Sequence, residues 1–127
     1  MDIRERKADK GTVLSVTRSL DRTNGPELDR SLAKLWKRRR ESVWIDVSEL
    51  TSIDSAGLTL LLTWHRKALS EGRRFAIVGT TDYHRKLFEI TRLDQELVVF
   101  DAPDGERIKP KPPRGLAWRT RQRTQEG

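Results

Sequence analysis

The run Asp54-Ser55-Ala56-Gly57-Leu58 holds the most chemistry in this sequence. Ser55 offers a hydroxyl, and a serine at the mouth of a helix accepts a backbone N–H as an N-cap. The unpaired N–H groups of a helix's first turn attract anions, so a phosphate on that hydroxyl would be tolerated there. Asp54 beside it, and Asp21 on a neighbouring loop, would oppose a dianionic phosphate. Modification of Ser55 therefore changes local charge without requiring the helix to unfold. The plainer account makes Ser55 an ordinary cap and Gly57 a close-packing glycine.

Little else in the chain suggests catalysis. His65 and His84 are 19 residues apart, with no cysteine or carboxylate at ligand spacing, so no metal site is expected. Neither GxGxxG nor GxxxxGK[ST] occurs, and no Ser-His-Asp set is suggested by spacing. No cofactor and no catalytic machinery of its own are therefore expected. Trp36, Trp44 and Trp64 fall in or beside core stripes. Trp118, among Arg114, Arg119, Arg121 and Arg123, has the aromatic-plus-arginine composition that can stack on and neutralise nucleic acid. Direct nucleic-acid binding is nonetheless not the expectation, because charge runs are usually solvated faces.

The elements that must position Ser55 follow from pattern. Val13 to Thr17 is a β-branched run that reads as a strand, and Ile3 to Lys7 can pair with it as a hairpin. Arg18 to Asn24 reads as a loop. Asn24-Gly25-Pro26-Glu27 opens a helix whose apolar stripe is Leu28, Leu32, Leu35 and Trp36, ended by the cations Lys37 to Arg40. Val43 to Val47 is a central strand, and Ser48 to Asp54 a loop. A second helix runs from Ser55 to about Ser70, stopped at Glu71-Gly72. Phe75 to Gly79 is a buried strand, Thr81 or Asp82 caps a third helix to about Thr91, and Leu97 to Phe100 closes the pattern. Strands alternating with helices imply right-handed crossovers and a mostly parallel sheet. The expected class is α/β, with four to five strands and the helices packed against them.

Composition bounds the setting. The chain has 127 residues and a net charge of +7, of which residues 101–127 supply +3. That segment also holds four of the five prolines, and residues 104–127 read as a disordered basic tail behind a domain at 1–103. There are no cysteines, no signal-like apolar block and no stretch near the ~20 apolar residues that span a bilayer. A cytoplasmic protein without membrane association is expected.

The run from Val43 to Leu62, centred on Ile53-Asp54-Ser55-Ala56-Gly57-Leu58, resembles the signature of STAS domains, among them the bacterial anti-sigma factor antagonists. Leu20-Asp21, the segment Gly72 to Val78, Lys86 to Leu93 and Val98 to Phe100 match further parts of the pattern, over roughly residues 3–101. Arg18-Ser19 departs from it, standing where the family often has Gly-Glu. The family's terminal amphipathic helix also has only a broken counterpart at Asp101 to Glu106.

The resemblance implies a phosphorylation-controlled switch. The unphosphorylated protein binds an anti-sigma factor, a serine kinase with a histidine-kinase-like ATP fold, and frees its sigma factor. Phosphorylation at the position of Ser55 reverses this, and a PP2C-type phosphatase resets it. Asp21, Asp54, Ser55, Ala56, Gly57 and Leu58 are the implied partner-binding residues. The alternative is an accessory subunit docking on the ATPase of a lipid-transport ABC complex.

Overall fold

The computed structural model describes residues 2–8, 11–38 and 42–100. Nine elements follow in the expected order: β1 (Ile3–Ala8), β2 (Gly11–Leu20), α1 (Gly25–Arg38), β3 (Ser42–Ile53), α2 (Ser55–Ser70), β4 (Phe75–Val78), α3 (Asp82–Ile90), a short 3-10 turn (Leu93–Gln95) and β5 (Val99–Phe100). The strands form one five-stranded mixed sheet in chain order. β1 runs antiparallel to β2, with Ile3 opposite Val16, and β2 to β5 are parallel. The hairpin and the α/β class are as the pattern indicates. The basic tail at 104–127 and Trp118 lie outside the described residues, as do Arg39 and Arg40.

One face of the sheet carries the core. Leu14, Val16, Val43, Ile45, Val47, Phe75 and Ile77 alternate along β2, β3 and β4. They meet Leu28, Leu32 and Leu35 of α1, Leu61 and Ala68 of α2 and Phe88 of α3. The period-3.6 helices thus bury one side each, whereas β4 is buried on both faces and β2 on both along Gly11 to Leu14. The opposite face holds Val13, Trp44 and Ala76 in one register row, and Ser15 beside Asp46 in the next. Trp44 is therefore half-buried on the face away from the helices. Trp36 and Trp64 join α1 to α2 with ring centroids 5.1 Å apart, and their indole N–H groups donate to Glu71 and Asp29.

Part of one expected loop, Arg18 to Leu20, and nearly all of another, Ser48 to Ile53, are strand. β2 continues through Leu20 and β3 through Ile53, paired by Thr17 with Glu49 and Leu20 with Ile53. Register shifts between Ser15 and Thr17 and between Arg18 and Ser19 interrupt the ladder. Bulges of this kind break strict alternation and bend the strand while keeping it in the sheet. Arg18 takes the left-handed conformation, φ 70°, at the second irregularity. At the far end of α2, Glu71 is the C-cap and Gly72 follows at φ 67°, so the helix stops where glycine permits the turn.

Candidate functional site

β3 ends at Ile53 and α2 begins at Ser55, so Asp54 alone joins them. This junction lies at the carboxyl end of a central parallel strand, the edge where α/β sheets commonly present ligand and partner sites. Asp54 is the N-cap of α2, and its carboxylate accepts the Gly57 N–H at 2.9 Å. Its other oxygen accepts the Arg22 N–H at 3.2 Å, joining the helix mouth to the β2–α1 loop. These backbone donors, Gly57 foremost, hold the Asp54 carboxyl below the usual carboxylate range.

Ser55 is therefore not the cap. It is the first helical residue, exposed, and its hydroxyl has no hydrogen bond to any described residue. The expectation of wholly unpaired N–H groups at this helix mouth is corrected too, since Asp54 already takes one of them. Asp and Ser are about equally good caps, so chemistry alone did not choose between neighbours. The choice frees the serine: a hydroxyl not engaged in capping is available to solvent.

Gly57 sits where a side chain does not fit. A Cβ there would come within 2.5 Å of the Leu20 carbonyl oxygen and 2.9 Å of Ile53 Cγ2 and Leu20 Cγ. The first turn of α2 rests directly on the end of β2, and the Asp54 N–H donates to that same Leu20 carbonyl at 3.1 Å. Leu58 turns into the core beside it, while Ala56 is half-buried. Of the five consecutive residues, Gly57 and Leu58 thus anchor the helix, and Asp54 caps it. Ser55 is the member left to the surface.

Asp21 closes the neighbouring loop. Its carboxylate accepts the N–H groups of Thr23 and Asn24 at 3.0 and 3.1 Å, and its carbonyl accepts the Gly25 N–H at 2.7 Å. Asn24 precedes α1 as expected, but its side chain turns back, accepting from the Asp21 N–H and donating to the Ser19 carbonyl. The structure thereby brings Asp21 and Asp54 to one end of the sheet, linked through Arg22. Sequence reasoning missed Tyr83, whose hydroxyl accepts the Ile53 N–H at 3.1 Å from the start of α3. No local pattern signals a contact across 30 residues.

No group of three or more His, Cys, Asp or Glu side chains that could hold a metal occurs among the described residues. His84 is fully buried and uses both ring nitrogens within the fold. No described helix is long and apolar enough to cross a membrane.

A five-stranded mixed sheet, and an exposed serine at a capped helix mouth beyond the central strand, define a small α/β domain. The family model described as "Mlab, STAS domain" matches residues 3–99, and the chain belongs to the STAS domain family. Solved structures share the fold. One is a Thermotoga maritima protein classed with the anti-sigma factor antagonists, at 20% identity over 79% of this chain and 86% of that one, TM-score 0.71. An anti-sigma factor antagonist of Mycobacterium paratuberculosis is 22% identical over 78% and 84%, TM-score 0.69. The antagonist SpoIIAA in its unphosphorylated form is 16% identical over 72% and 82%, TM-score 0.61, and the Bacillus protein is also solved phosphorylated. A search of the curated proteins found no match.

Proposed function

We propose that this chain is an anti-sigma factor antagonist whose exposed Ser55 hydroxyl is the point of control. The observation that carries the reading is the division of labour at the α2 mouth: Asp54 caps, and Ser55 is left without a hydrogen bond among the described residues. The unphosphorylated surface formed by Asp21, Asp54, Ser55 and Ala56 docks on an anti-sigma serine kinase and releases its sigma factor, while Gly57 and Leu58, expected to touch the partner, are buried and instead hold the helix mouth in place. Transfer of a phosphoryl group to Ser55 places a charge of about −1.5 to −2 next to the Asp54 carboxylate. Two like charges pressed into one interface cost several kcal/mol, enough to dissociate the complex. A PP2C-type phosphatase restores the neutral hydroxyl. Structures of SpoIIAA in both phosphorylation states support the reading by analogy of fold.

Full-length wild-type protein and Ser55→Asp are used as baits, and the captured proteins are identified. The captured kinase is then incubated with the chain and ATP, and the product is mapped by mass spectrometry. Capture by wild type of a kinase with a histidine-kinase-like ATP fold, lost with Ser55→Asp, together with phosphate on Ser55, is the expected result. A kinase that binds but leaves Ser55 unmodified sinks the switch. A second reading is kept because the matching family model is the Mlab one: an accessory subunit on the ATPase of a lipid-transport ABC complex. Capture of an ATP-binding cassette subunit, indifferent to Ser55→Asp, would favour it.

A further inference from the structure

β3 outruns β4. Their last paired residues are Asp46 and Val78, yet β3 continues to Ile53. Beyond Asp46, among the described residues, the edge of β3 that faced β4 has no strand beside it, and β2 holds the other edge, with Leu20 opposite Ile53. A backbone donor or acceptor left without a partner is costly when buried, so the overhang needs substitutes.

Two consecutive residues of the first turn of α3 supply them. His84 Nε2 lies 2.6 Å from the Leu50 carbonyl, and the Ile53 N–H donates to the Tyr83 hydroxyl at 3.1 Å. The direction of the first bond follows from the other ring nitrogen. Nδ1 accepts the Thr81 N–H at 3.0 Å, so Nε2 carries the proton and donates to Leu50. Thr81 in turn caps α3 in a capping box with His84. The two rings sit edge to face, centroids 5.3 Å apart. The clamp is thus braced at both ends, in the core by His84 and at the surface by Tyr83.

We propose that the first turn of α3 is a positioning clamp for the Ser55 helix mouth, with Tyr83 as the positioning residue. This rests on Ser55 being the point of docking and modification. The backbone group held by Tyr83 is one residue before the cap Asp54 and two before Ser55, with no loop between to absorb movement. Tyr83 is also 43% exposed, one of three large hydrophobic side chains left at the surface among the described residues. Its phenol only accepts from Ile53, which leaves its own proton for a docking partner. A protein seated over Ser55 that also touches Tyr83 grips the element that sets the angle of α2.

The test compares full-length wild type with Tyr83→Phe, which keeps the ring and removes the hydroxyl. Ile90→Ser, on the same helix but away from β3, is the control. Amide hydrogen exchange followed by NMR is expected to show Ile53 exchanging about three- to tenfold faster in Tyr83→Phe, the worth of one hydrogen bond. Ser55 and Gly57 resonances should shift, while the control matches wild type. Unchanged exchange at Ile53 overturns the clamp. With a kinase that modifies wild-type Ser55, Tyr83→Phe is expected to lower kcat several-fold at a KM within about twofold. An unchanged kcat would show that the clamp does not position the hydroxyl. If no kinase modifies the wild type, the Ser55 reading falls, and the exchange rates still decide the clamp.

Discussion

Replacing Gly57 by alanine tests the contact on which the helix mouth is built. The added methyl would stand 2.5 Å from the Leu20 carbonyl oxygen and 2.9 Å from both Ile53 Cγ2 and Leu20 Cγ. Two effects oppose each other. Alanine gains up to about 1 kcal/mol of helix propensity over glycine. Overpacking of a close contact costs about 1–3 kcal/mol. The steric cost should win, because the nearest atom is a backbone oxygen already bonded to the Asp54 N–H, and it has no rotamer in which to escape. A net loss of about 1–2 kcal/mol is expected. In a domain of about 100 residues each kcal/mol moves Tm by roughly 4–8 °C, so Gly57→Ala should melt about 5–15 °C lower. Thermal melts by circular dichroism and urea midpoints at neutral pH measure it. A variant melting at or above wild type would refute the close approach of α2 to β2.

Three further outcomes follow from the same structure. His84 is buried and its pKa is lowered, chiefly by desolvation, so the unfolded chain binds the proton that the folded one refuses. Stability should fall as pH drops below about 6.5 and level off at the folded pKa. An NMR titration of the His84 ring placing its pKa at or above the ordinary value would contradict this. Asp54→Ala should lower the melting temperature, while Asp54→Asn, still a good cap, should stay near wild type at neutral pH. The lowered Asp54 pKa means its contribution is present above about 3.8 and lost in acid, so the Asn variant should lack that part of the acid dependence. Leu61, fully buried between the helices and the sheet, should cost about 2–5 kcal/mol when cut to alanine, read from urea midpoints.

Much of the fold was legible because the inner halves of the strands keep their period. Val43, Ile45 and Val47 alternate, as do Leu14 and Val16, and α1 shows its Leu28, Leu32, Leu35 stripe. The outer halves were not legible. Along β3 the buried residues after Val47 are Leu50 and Ile53, a spacing of three where a strand should show two. The register shifts opposite this segment explain the change: bulges re-aim the side chains, and Ser48, Glu49, Thr51 and Ser52 between them mimic a loop. At the candidate site the cap stands one residue earlier than the pattern placed it, at Asp54 instead of Ser55. A cap is defined by the geometry at a helix boundary, and pattern places boundaries less finely than that. Tyr83 and His84 were invisible as parts of the site because their bonds to β3 depend on where β4 stops.

If Ser55 is modified as proposed, the single-residue link between β3 and α2 shapes how the switch would work. A hinge of several residues would let a modified serine swing and spend conformational entropy when a partner immobilises it. Here strand, cap and helix form one stiff corner, so little ordering cost remains to be met on association. Under the proposed switch, affinity would then be tuned by a single group's charge and shape, and dissociation after modification would not wait for a slow rearrangement. Such a corner works as a stamp, whose imprint differs by what is attached to its face and hardly by how it bends.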